Sequence, residues 1–122
     1  MTHRHVMYLK RIQRFIKKPN VRFLIHEIPI TNEHGFCLTS SSSRDPILII
    51  LDPNKEFIPT LIHECLHGMY PKYKERRIRS LERFIMNRIT ASQVVELLRV
   101  FSVCAHQYNL YGKNIKELLS DS

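Results

Sequence analysis

Long apolar runs, early acidic residues and an even set of cysteines are all missing from this chain, and each gap narrows what it can be. The longest uninterrupted apolar stretch runs from Ile47 to Leu51, far short of the roughly 18 residues that a membrane-spanning helix needs. No transmembrane segment is expected, and a membrane partner is not expected either. The first residues lack a continuous apolar stretch with a small-residue cleavage site, so no secretory signal is expected. The cysteines, Cys37, Cys65 and Cys104, are odd in number and far apart. That pattern suits reduced thiols rather than a disulfide framework, and with it a cytoplasmic setting. No acidic residue precedes Glu27.

What is present fits a soluble α+β domain spanning residues 1–122, with 43% hydrophobic and 25% charged residues. A chain of this length can bury one core but not two. Tyr8, Leu9, Ile12, Phe15 and Ile16 follow helical spacing up to Pro19-Asn20. Val21 to Ile28, Gly35 to Thr39 and Ile47 to Leu51 read as three short strands, mixed or antiparallel, with Ser40 to Ser43 as a polar turn. A helix follows, starting near Lys55 or at Pro59 and ending at Gly68 or Pro71. Ile78, Leu81, Ile85 and Ile89 mark a third helix from Lys74 to about Arg88. Thr90-Ala91-Ser92-Gln93 has the form of a capping box, opening a fourth helix whose apolar positions are Val94, Val95, Leu98, Phe101 and Val103. Ile115 to Leu119 reads as a short terminal helix or a frayed tail.

The net charge is +8, and the excess is clustered. Arg4, Lys10, Arg11, Arg14, Lys17 and Lys18 lie on the first helix; Arg76, Arg77, Arg79, Arg83 and Arg88 lie on the third. Such clusters make nucleic acid a conceivable partner, although most basic helix faces are simply solvated. No zinc-finger spacing, helix-turn-helix signature or aromatic-basic interleaving accompanies them along the sequence.

The most specific feature is His63-Glu64-Cys65-Leu66-His67, an H-E-x-x-H pattern. Histidines four apart lie on one helix face with Cβ atoms about 5–6 Å apart, so two imidazoles can converge on one zinc ion. Glu64, turned about 100° from His63, is placed as a general base for a metal-bound water. Ile58, Ile62, Cys65, Leu66 and Met69 form the core-facing arc of the same helix, which makes Cys65 a packing residue. His63 and His67 fall outside that arc, as ligands lining a cleft must.

Catalytic zinc takes three protein ligands. No histidine lies between His67 and His106, which excludes the metzincin pattern and the short-range third histidine of SprT-like proteases. Attention passes to the carboxylates of the next helix. Glu82 is flanked by Ile78, Leu81 and Ile85, so its side chain is expected to point inward, where an ion would compensate a buried charge. Glu75, two turns earlier on the same face, and His106 are the alternatives. Tyr70, Tyr73, His106 and Tyr108 are candidate donors to an oxyanion.

The stretch Ile47 to Pro53, then Thr60 to His67, Tyr70-Pro71 and a helix bearing Leu81-Glu82, resembles the minimal gluzincin-type zinc metallopeptidases of phage and prokaryotic genomes. The resemblance implies a small zincin-like domain, a sheet packed on the active-site helix and a ligand helix after it. It implies one zinc ion on His63, His67 and Glu82, with Glu64 as base and a peptide or protein as substrate. Two rivals are kept: a basic nucleic-acid-associated protein, and an inactive zincin scaffold used for binding.

Overall fold

A computed structural model describes residues 4–28, 34–38, 46–112 and 114–120. In chain order the elements are α1 (Arg4–Ile16), β1 (Val21–Ile25), β2 (Gly35–Leu38), β3 (Ile47–Leu51), α2 (Phe57–Met69), α3 (Glu75–Met86), α4 (Ala91–Cys104), β4 (His106–Gln107) and α5 (Ile115–Ser120). This is an α+β arrangement. The sheet order is β2-β3-β1-β4, with β1 parallel to both β3 and β4, and β2 antiparallel to β3. Thr39 and the serine turn fall outside the described residues.

The alternation of β3 explains why a run of five apolar residues forms a central strand. Ile49 and Leu51 join the main core with Leu9, Ile12, Phe15 and Ile16 of α1 and the buried faces of α2, α3 and α4. Leu48 and Ile50 point the other way, onto Leu24, Ile28, Ile115 and Leu118. Each side chain fully buried in this way contributes about 1.5–3 kcal/mol. Among the described residues no helix is long and apolar enough to cross a membrane.

Pro59 turns out to cost the metal-motif helix nothing. The helix is capped at Glu56, and its first backbone bond runs from Thr60 N to Glu56 O at 3.2 Å, so Pro59 stands in the first turn, where N–H groups have no intrahelical acceptor. The capping box of α4 is present: Gln93 N donates to Thr90 Oγ1 at 3.2 Å, and Thr90 N donates to Gln93 Oε1 at 2.9 Å. Gly68 does not end α2 but lies inside it, where any Cβ would overlap the ring of Phe15. The missing side chain lets α1 and α2 approach closely.

Three expectations need correction. The sheet has four strands, because His106-Gln107 pairs with Arg22 and Phe23 of β1; two polar residues carry no periodicity from which a strand could be read. The first strand stops at Ile25, and Ile28 instead donates its N–H to Asp52 Oδ2 at 3.1 Å. The apolar face of α4 is rotated from the one expected: Leu97 and Val100 are buried, while Val95 and Val103 are 65% and 71% exposed. Packing against α1 selects that line of residues.

Candidate metal centre

α2 and α3 form an antiparallel hairpin joined by the turn from Tyr70 to Lys74. The turn is short and bonded, with Tyr70 N donating to Leu66 O at 2.9 Å and Tyr73 N to Tyr70 O at 3.0 Å. It folds the start of α3 back beside the end of α2. Glu75, the first residue of α3, therefore comes level with His67, and Glu82 comes level with His63.

Both histidine rings reach toward Glu75. His63 Nε2 lies 2.7 Å from Glu75 Oε1, and His67 Nε2 lies 2.7 Å from Glu75 Oε2. His63, His67 and Glu75 form a group whose potential ligand atoms all lie within 4.8 Å of one another. Glu82 was expected to close this set, but it sits behind it, with Oε1 2.6 Å from His63 Nδ1. The helical stripe placed Glu82 on the inward face as expected, yet that face meets the back of the His63 ring rather than the side shared with His67. The missed signal was the hairpin register: a five-residue turn after α2 brings the first residue of α3 to the ring tips.

The donor set suits a divalent cation. Both nitrogens of His63 face carboxylates, and a neutral imidazole has only one N–H. His63 meets both as an imidazolium, or it gives Nδ1–H to Glu82 and its Nε2 lone pair to a metal. The second state is the usual arrangement of a metal-ligating histidine oriented by a carboxylate. Tetrahedral zinc with bonds of about 2.0–2.1 Å separates its ligand atoms by roughly 3.3 Å. The ligand atoms of the three side chains lie within 4.8 Å of one another, so an ion among them requires the facing atoms to part and the wider pairs to close.

Electrostatics follow from this crowding. Burial works hardest on His63 and opposes its charge, but the hydrogen bond to Glu82 and the fields of Glu64, Glu75 and Glu82 outweigh it and raise its pKa. For Glu75, burial acts upward, and the charges of His63 and His67, the hydrogen bond from His67 and the charge of Arg79 reverse it to a net lowering. Arg79 Nε stands 3.3 Å from Glu75 Oε1.

Glu64 is 7% exposed and shares a cleft of about 410 Å³ with His63, His67, Glu75, Arg79 and the β2 residues Gly35 to Cys37. Gly35 is what allows β2 to lie so near, since a Cβ there would come 2.8 Å from Thr60 Cγ2, 2.9 Å from Ile50 O and 3.2 Å from Glu64 Cγ. On the cleft wall, burial first and the Glu64 charge second push the Cys37 thiol up to about 12. In the metal-free cleft it is a neutral wall, and the group that could hold an ion is His63, His67 and Glu75. Cys65 is fully buried in the core, as its place on the apolar arc implied.

Other candidates lie elsewhere. His106 is in β4, at the sheet edge opposite β2, which removes it as a ligand beside His63. Tyr108 packs with the cluster on the far face of the sheet. Tyr70 accepts a hydrogen bond from Arg11 at 3.1 Å, and neither Tyr70 nor Tyr73 lines the cleft. The cationic donor at the cleft is Arg79, expected to belong to a solvated basic face. Compared with known proteins, the chain matches no family model, and no curated protein or solved structure is significantly similar to it.

Proposed function

We propose that this chain is a zinc-dependent peptidase of gluzincin type, with His63, His67 and Glu75 as metal ligands, Glu64 as general base and Glu82 as the carboxylate that orients His63. The observation that carries the reading is the convergence of both Nε2 atoms on Glu75, one helical step from a carboxylate in the same cleft. Zinc bound there supplies a Lewis acid that polarises a peptide carbonyl and lowers the pKa of a water toward about 7.

The chain's own groups do the remaining work. Glu64 takes the proton of the attacking water on its carboxylate and returns it to the departing amine nitrogen. Glu82 accepts the Nδ1–H of His63, fixing the tautomer that leaves Nε2 free to ligate. Arg79 places a guanidinium at the cleft, where it can stabilise negative charge on the carbonyl oxygen. β2 is an edge strand, so its main chain offers an extended peptide a partner for β-augmentation, with Gly35 keeping that strand against the base.

Metal analysis of protein purified without a histidine tag, paired with hydrolysis of a peptide library, tests the reading. Near-stoichiometric zinc with cleavage that stops in Glu64→Gln supports it. Stoichiometric zinc without cleavage would favour a binding scaffold, and no zinc after zinc-replete expression would remove the reading altogether.

A further inference from the structure

Aromatic and basic residues that are scattered along the sequence come together behind the metal helix. Tyr70 and Tyr73 stack with centroids 4.7 Å apart and planes 9° from parallel. Arg77 lies over the Tyr73 ring at 3.8 Å, and Arg11 donates to the Tyr70 hydroxyl while lying 5.9 Å from the Tyr8 centroid. Tyr70 lines a hollow of about 510 Å³ with Arg11, Arg14 and Lys18. Tyr73 lines another of about 520 Å³ with Lys72, Lys74, Arg76 and Arg77. Neither lining includes an aspartate or glutamate, and among the described residues Arg14, Lys18 and Arg76 form no ion pair.

We propose that this strip is a binding site for single-stranded nucleic acid, with the phosphodiester backbone on the cations and bases against the tyrosine and arginine planes. Arg11, Arg14 and Lys18 follow one side of α1 and its end at spacings of three and four residues, spreading their charges over roughly 10 Å, about three steps of a stacked strand at 3.4 Å per nucleotide. The Tyr73 ring already carries Tyr70 and Arg77 against it, so a base would stack on the guanidinium plane of Arg77 or displace it from the ring, and such stacking and cation–π contacts act on any base. An acidic peptide would use the charges and leave the rings idle. An anionic membrane would need a cluster of apolar anchors, and of the exposed large hydrophobic residues only Met7, one turn before Arg11 on α1, adjoins the strip, whereas Val95, Leu98, Val103 and Tyr111 are on other elements. The strip shares no residue with the metal cleft, so nucleic-acid binding does not depend on the peptidase reading.

The test is fluorescence anisotropy of a labelled oligothymidylate about twenty nucleotides long, titrated with the full chain across a salt series. Each phosphate that a cation neutralises on a single strand adds about 0.7 to the steepness of log K against log salt. Arg11→Gln/Arg14→Gln/Lys18→Gln should therefore weaken binding at low salt by tenfold or more and flatten the slope by about 2. Tyr73→Leu, which changes no charge, should weaken binding several-fold with the slope unchanged. Lys116→Gln, on α5 and away from the strip, should change affinity less than twofold. Melting curves matched to the parent show that the variants are folded. The proposal is overturned if the parent does not bind at low salt, or if the strip and control variants lose affinity equally per charge removed. It is also overturned if polyglutamate or anionic vesicles of phosphatidylserine and phosphatidylcholine displace the oligonucleotide at equal charge concentration.

Discussion

Exchanging each of two glutamates for glutamine separates the ligand from its support. Glu75 faces the Nε2 atoms of both histidines, whereas Glu82 touches only His63 Nδ1. A structural zinc site with four protein ligands is worth about 10–16 kcal/mol, or roughly 2.5–4 kcal/mol per ligand. Glu75→Gln, losing one ligand of three, should thus weaken zinc by about a hundredfold to a thousandfold. Glu82→Gln removes an orienting carboxylate, for which losses of about 10–100-fold are typical. Glutamine keeps an oxygen that can accept the Nδ1–H, so the lower end of that range applies. Both variants lose one negative charge on the same helix, so a general field effect would appear equally in both. Competition against a chromophoric chelator at fixed pH gives the two affinities. Equal losses would mark a general field effect and refute the assignment, and a weaker zinc complex for Glu82→Gln than for Glu75→Gln would restore Glu82 as the third ligand.

Glu64→Gln should keep zinc within a few-fold and lower peptide hydrolysis by about 100-fold to 10,000-fold, measured as kcat on a substrate that the parent cleaves. Gly35→Ala should push β2 from α2 and cost about 1–3 kcal/mol, read as a lower Tm together with reduced hydrolysis, because the same Cβ meets Glu64. Leu97→Ala should cost about 2–5 kcal/mol and Val103→Ala less than about 0.5 kcal/mol in urea unfolding, and the reverse order would restore the other face of α4 as the buried one. The metal-free protein has a predictable response to pH. The pKa of His63 is raised on folding, so its contribution is complete below the unfolded value near 6.5 and lost as pH rises through the folded value; Glu75, lowered, contributes above its ordinary value near 4.5 and loses that as pH falls through its depressed one. Tm with chelator present should fall as pH rises past 6.5, whereas Tm with zinc should rise over the same interval as ligation displaces the imidazole proton. A chelated protein whose Tm climbs there would contradict the charge assignment at His63.

The parts legible in sequence were those set by local rules. Helical spacing placed His63, Glu64 and His67 on one cleft-lining edge of α2, and a short uninterrupted run of branched apolar residues located β3, whose Ile49 and Leu51 face the helices. The Thr90–Gln93 capping box could be read directly because each of its bonds spans three residues. Non-local choices were harder. Which carboxylate of α3 meets the ring tips depends on how the turn from Tyr70 to Lys74 folds, and inwardness alone could not tell the front of the His63 ring from its back. The face of α4 depends on where α1 lies. The tyrosine and arginine cluster behind α2 was hidden for the same reason: Tyr8 and Arg11 are about sixty residues from Tyr70 in sequence.

The helix hairpin has a consequence for motion. Every candidate donor, from His63 to Glu82, lies on α2 or α3, and α3 sends only Ile78 and Ile85 into full burial. α2 is held on several sides by Phe15, β2 and β3, whereas α3 is fastened by a few apolar contacts and by the carboxylates it extends to the histidines. An ion held by His63, His67 and Glu75 would act as a clasp on the looser helix, so its removal should free α3 while leaving the sheet and α1 intact. Amide hydrogen exchange would register this as lost protection confined to α3 and its turn, a local opening well below the free energy of global unfolding.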